Sequence, residues 1–188
     1  MQGNWPVARA HFAQALRLDA RDAQAWQGQA RAELSERDPE AALRSLSRLA
    51  AVDPERFQNE ARALYGESLA AATEQRLARR QSEAALVAVR ALVRVEPERR
   101  GLDRLLGRAL LAEAERRRLQ GERQTALQLY REACEVTPGA LEAWVATAEI
   151  LLEKRKGKEA IRVLKAARAH HPTASALRLL TRQALKAR

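Results

Sequence analysis

A single cysteine in 188 residues, Cys134, rules out an internal disulfide, and with it any fold that needs one to be stable. It also leaves the compartment open, because a chain that forms no disulfide suits cytoplasm and periplasm equally. Aromatic residues make up 4% of the chain, too few for a surface that works mainly by stacking on bases or sugar rings. Eight glycines and six prolines are few for a protein of strands and tight hairpins. No apolar run approaches the roughly 20 residues of a bilayer-spanning helix, so no membrane insertion is expected of this segment. The opening MQGNWPVARAHF has none of the three regions of a signal peptide.

What is abundant favours helix. Forty residues are alanine and 29 of the 34 basic residues are arginine, both strong helix formers, and an apolar content of 46% can fill a real core. The net charge of +10 invites a nucleic-acid reading, but its distribution weakens it. Residues 1–140 carry 23 basic and 20 acidic side chains, whereas 141–188 carry 11 and 4. The excess is therefore local, and all five lysines (Lys154, Lys156, Lys158, Lys165, Lys186) lie within it.

Motifs of catalysis and ligation are missing too. Gly157-Lys158 lacks the earlier glycine of a phosphate loop, and HExxH, GxSxG, CxxC and EF-hand spacings do not occur. His170 and His171 are adjacent, so they leave a helix in different directions and suit a helix end better than a metal. Cys134 falls inside QTALQLYREACEVTP, where a small buried thiol is the plainer reading than a nucleophile. No catalytic residue, cofactor or metal is expected.

The informative feature is repetition. Ala160, Leu164, Ala167 and Pro172 stand at offsets 0, 4, 7 and 12, and the same offsets return at Ala126, Tyr130, Ala133 and Pro138. They return again at Ala85, Val89, Leu92 and Pro97, at Ala42, Leu46, Leu49 and Pro54, and at Ala8, Phe12 and Ala15, where Ala20 replaces the proline. Offsets 0, 4 and 7 form one stripe of an α-helix, and the proline marks its end. Gly3, Gly121 and Gly157, the prolines Pro6 and Pro39, and Ser82 with Glu83 mark helix starts, Ser82 as an N-cap. Between copies lies a second helix, in which Trp26 with Ala30, and Trp144 with Thr147, Ala148 and Leu151, place a large residue one turn from a small one. Each unit is thus a helical hairpin that cannot bury its own faces, and its repetition predicts a solenoid.

These residues resemble the tetratricopeptide repeat, whose 34-residue pattern has Trp, Leu, Gly or Ala and Tyr in helix A, then Ala, Phe, Ala and Pro in helix B. Pro138 to Pro172 and Ala20 to Pro54 both keep that length. The resemblance implies an all-α, right-handed solenoid of antiparallel hairpins: residues 3–21 as helix B of a truncated repeat, repeats at 22–55, 56–98, 99–139 and 140–173, and a capping helix at 174–188. Pro54 to Pro97 and Pro97 to Pro138 are longer, which predicts about two added turns in their A helices and a ridge bearing Arg76, Arg79, Arg80, Arg116, Arg117 and Arg118. The abrupt start predicts a fragment of a larger protein, with Trp5 and Phe12 short of a partner and self-association open to the first helix.

The resemblance further implies a non-enzymatic scaffold whose A helices line a groove for a peptide, a helix or a partner domain. Repeat phase places Gln24, Gln27, Arg31, Arg62, Tyr65, Arg104, Arg108, Glu142, Val145 and Glu149 on that face. Its middle is Arg-rich, which suits an acidic partner, and its C-terminal end is acidic. The Ala- and Arg-rich style is similar to that of bacterial repeat proteins of envelope and polysaccharide-export assemblies. Two alternatives stand beside the scaffold: an anionic-polymer binder, for polysaccharide or RNA, using the Arg-rich helix ends, and an architectural spacer.

Overall fold

A computed structural model describes residues 4–186, and Gly3 among the expected helix starts lies outside them. The described residues are helices joined by short connections. Five are fourteen residues long: α1 (Trp5–Leu18), α3 (Pro39–Val52), α6 (Ser82–Val95), α8 (Arg123–Val136) and α10 (Gly157–His170). These are the B helices. The A helices are α2 (Ala23–Ser35) and α9 (Leu141–Glu153), both of 13 residues, the longer α7 (Leu102–Leu119), and a continuous run of α4 (Pro54–Arg56), a π-helical turn (Phe57–Ala61) and α5 (Arg62–Ala78). A last helix, α11 (Ser175–Lys186), closes the chain.

The repeated offsets fix these elements for the reason the spacing suggests. In α3, α6, α8 and α10 every residue at offsets 0, 4 and 7 is buried, from Ala42, Leu46 and Leu49 to Ala160, Leu164 and Ala167. Those helices end at Val52, Val95, Val136 and His170, two residues before each proline. Pro54 does more, because it also opens the next helix, with Asp53 Oδ1 accepting the Arg56 N–H at 2.8 Å. Asp22 and Asp38 cap α2 and α3 in the same way. Trp26 and Trp144 each donate from Nε1 to the carbonyl six residues earlier, Ala20 at 3.0 Å and Pro138 at 2.9 Å, so each indole pins the connection leading into its own helix.

Every A helix ends in a three-residue turn whose middle residue is left-handed: Arg37, Arg80, Gly121 and Arg155 have φ of 63°, 58°, 80° and 56°. The helix ends close with bonds such as Asp38 N–H to Glu33 O and Lys156 N–H to Leu151 O, a Schellman arrangement. Only one of the four positions is glycine.

Two expectations need correction. Ser82 does not cap α6; it is the helix's first residue, and its hydroxyl donates to the buried Glu113 carboxylate at 2.8 Å. The added turns of the long repeats also lie at the other end of the A helices from the ridge expected of them. Because the A-to-B turn is constant, Gly66 faces Glu96 just past α6, and Gly107 faces Thr137 just past α8. Residues 54–65 and 102–106 therefore extend beyond their B helices at the N-terminal end, whereas Arg76, Arg79, Arg80 and Arg116–Arg118 stand at the turn common to all repeats.

The chain divides into two compact units, Met1–Ala78 with Val87–Arg99, and Arg79–Leu86 with Arg100–Arg188. The first is centred on Ala30, Ala42, Leu46, Leu49, Ala61 and Leu64, with Trp26, Phe57 and Tyr65 packed around them. The second buries a larger set, including Leu127, Tyr130, Ile150, Leu151, Leu164 and Leu177. Among the described residues no helix is long and apolar enough to cross a membrane.

Candidate partner-binding surface

In the second unit α9 presents Glu142, Val145, Ala146 and Glu149 at i, i+3, i+4 and i+7, hence on one face. That face borders two depressions. One, of about 580 Å³, has an apolar floor of Leu111, Ala112, Leu141, Val145 and Ala146, with Glu115, Arg118, Tyr130, Glu142 and Glu149 around it. The other, of about 350 Å³, lies between α9 and α11 and is lined by Val145, Glu149, Leu152, Glu153, Leu179 and Gln183 among others. Leu179 is 59% exposed, a large apolar side chain left open beside this surface.

Polar groups on the rim differ in how they are engaged. The Arg118 guanidinium donates to both oxygens of Glu115, which also accepts the Tyr130 hydroxyl at 2.7 Å. Those hydrogen bonds hold the Glu115 carboxyl down at about 2, and burial with the same carboxylate pushes the Tyr130 phenol above its usual range. Tyr130 thus packs its ring in the core and shows its oxygen to the groove. Glu153 pairs with Arg123 at 3.3 Å.

The residues expected on the A-helix face are placed as follows. Glu142, Val145 and Glu149 share one groove. Gln24, Gln27 and Arg31 share another in the first unit, about 260 Å³, completed by Phe12 and Gly28. The Phe12 ring sits where a Gly28 side chain would be, so Phe12 has the partner the sequence reading denied it. Trp5 stays 36% exposed, and α1 buries no residue fully. Arg62 donates from Nη2 to the Val95 carbonyl at 2.9 Å, which caps the end of α6. Tyr65 is half-buried, edge-on to Phe57 with ring centroids 5.3 Å apart. Arg104 and Arg108 are exposed one turn apart on α7. Leu111, Ala112 and Glu115 continue their phase by one and two turns and were legible by extending it; Tyr130 was read only as a core position.

The arginine triplet at the end of α7 is compensated by carboxylates. Glu113, 3% exposed, accepts from Ser82, Arg116 and Arg117. Burial alone would raise its carboxyl, but these donors outweigh it and hold it at about 2. Arg116 also reaches Glu83, and Arg117 reaches Glu122. In the first unit Arg76 forms a forked pair with Glu40 at 2.7 and 2.8 Å.

The remaining reactive side chains have structural surroundings. The His170 ring stacks on Trp144 at 6.0 Å, and His171 Nε2 lies 3.2 Å from the Pro138 carbonyl. Burial pushes the Cys134 thiol up to about 11. Among the described residues no group of three or more His, Cys, Asp or Glu is arranged to hold a metal.

Tetratricopeptide repeat profiles match residues 117–184 and residues 2–55. Among solved structures, TTC0263, a tetratricopeptide repeat protein of Thermus thermophilus, is 24% identical over 98% of this chain and 92% of its own, with a TM-score of 0.40. YrrB, a tetratricopeptide repeat protein described as having an unusual peptide-binding site, is 17% identical over 95% of this chain and 84% of its own, with a TM-score of 0.43. A chain of the APC/C hetero-tetramer Cut9–Hcn1 is 14% identical over 97% of this chain, which spans 40% of that longer one, with a TM-score of 0.44. No curated protein matches. The two profiles cover both ends of the chain, and the fourteen-residue B helices with their buried 0, 4, 7 stripe recur between them, so the chain belongs to the tetratricopeptide repeat family.

Proposed function

We propose that this chain is a non-enzymatic protein-interaction module that seats a segment of a partner protein on its A-helix face, with the groove along α9 as the principal site. The observation that carries this reading is the 580 Å³ depression: an apolar floor open to solvent, framed by charged groups that can orient what enters. The role of an anionic-polymer binder draws no support from the helix ends, because Arg116, Arg117 and Arg118 are each engaged by at least one carboxylate. The module would work inside a multiprotein assembly; the Ala- and Arg-rich style is all that points to bacterial envelope or polysaccharide-export machinery.

Selection from a displayed random-peptide library tests the reading, with a Val145→Arg variant as counter-target. The substitution sits at a half-buried surface position and fills the floor with a charge. Peptides that bind the native chain and lose the variant support a groove on α9. Peptides that bind both equally would move the site elsewhere, and failure to enrich any peptide would favour a spacer.

A further inference from the structure

The α9 groove selects for charge as well as for apolar character, and this inference rests on the reading just given. Glu142 and Glu149 are exposed on its rim, and no ion pair or side-chain hydrogen bond engages either one among the described residues. Their neighbours are engaged: Glu115 by Arg118 and Tyr130, Glu153 by Arg123, Glu159 by Lys156 and Arg131. In a chain of net charge +10, with 34 cationic side chains for 24 anionic ones, two uncompensated carboxylates beside an apolar floor stand out against the rule. Seven residues of helix separate them, about 10 Å along the axis, with Val145 and Ala146 between. We propose that the occupant is a partner segment of apolar-basic chemistry: a large aliphatic or aromatic side chain that enters over Val145 and Ala146, flanked by two Lys or Arg about 10 Å apart that pair with Glu142 and Glu149. That spacing matches cations three residues apart in an extended segment or seven apart in a helix.

The test compares peptides selected from a displayed random library by the native chain with those selected by the Glu142→Lys/Glu149→Lys double variant. Since neither carboxylate is tied to the fold, the variant should keep the native helical signal and melting behaviour. The expected result is a set of native binders rich in Lys or Arg on both sides of an apolar residue. Their binding should weaken about tenfold in the Glu142→Gln/Glu149→Gln variant and fall with added salt, while the charge-reversed chain no longer selects them. Native binders that are neutral or acidic, yet lost in Val145→Arg, would leave the groove in place and overturn the charge preference. Enrichment of nothing would overturn both. A native dimer in sedimentation that dissolves in the charge-reversed variant would assign the surface to a second copy of the chain and overturn the partner-peptide proposal.

Discussion

Arg37, Arg80 and Arg155 hold the left-handed conformation that closes each A helix, a geometry in which an L side chain crowds the following carbonyl. Gly121 does the same without that crowding. Arg37→Gly or Arg155→Gly should therefore stabilise the fold by about 1 kcal/mol, and Gly121→Arg should cost a similar amount, read as shifts in the urea midpoint at constant slope. Glu113 gives a pH signature. Its carboxyl, held at about 2 against an ordinary 4.5, contributes stability that is present above the ordinary value and is lost as pH falls towards 2. The contribution is on the order of 3 kcal/mol, and Glu113→Gln should remove most of the acid-side slope between about pH 5 and 2 in denaturant titrations. Cys134, buried and with its thiol pushed up to about 11, should resist iodoacetamide at pH 8 in the native protein and react readily once unfolded.

At the scale of the helix pair, close approach is set by glycines whose neighbours differ in stiffness. A side chain at Gly107 would meet the β-branched Thr137, whose hydroxyl oxygen is buried without a hydrogen-bond partner, whereas one at Gly66 would meet the free end of the Glu96 side chain. Gly107→Ala should cost about 1 to 3 kcal/mol and Gly66→Ala distinctly less, measured side by side by thermal melting. The B helices could be read from the sequence because one stripe and one proline determine them: Ala126, Tyr130 and Ala133 bury as the offsets require, and Pro138 stops the helix. The ends of the A helices could not. An arginine at φ 58° is indistinguishable in sequence from a helical one, so nothing in RLARRQSE marks Arg80 as the turn that fixes which end of the preceding helix grows. The π-helical turn Phe57–Ala61 left no local signature either. Ser82 was misread because a serine before an acidic residue suits an N-cap, while its actual acceptor, Glu113, is 31 residues away.

Across the whole molecule, charge is mostly balanced in place, and the balance depends on contacts between repeats that periodicity does not reveal. The phase argument located Glu142, Val145 and Glu149, because residues seven apart on a helix share a face, and it located Arg31 with Gln24 and Gln27 for the same reason. It could not foresee that Arg62 would close the end of α6 through the Val95 carbonyl, or that Arg118 and Tyr130 would converge on Glu115, since those partners come from different helices. The central claim is that partners use the A-helix face along α9 and not the B-helix face, where Lys165 is exposed on α10. The most direct measurement places a photo-crosslinking amino acid at position 145 or at position 165 of the full protein in the cells that make it. Partner adducts should form from 145 and not from 165. Adducts from 165 alone, or equal yields from both positions, would contradict the account.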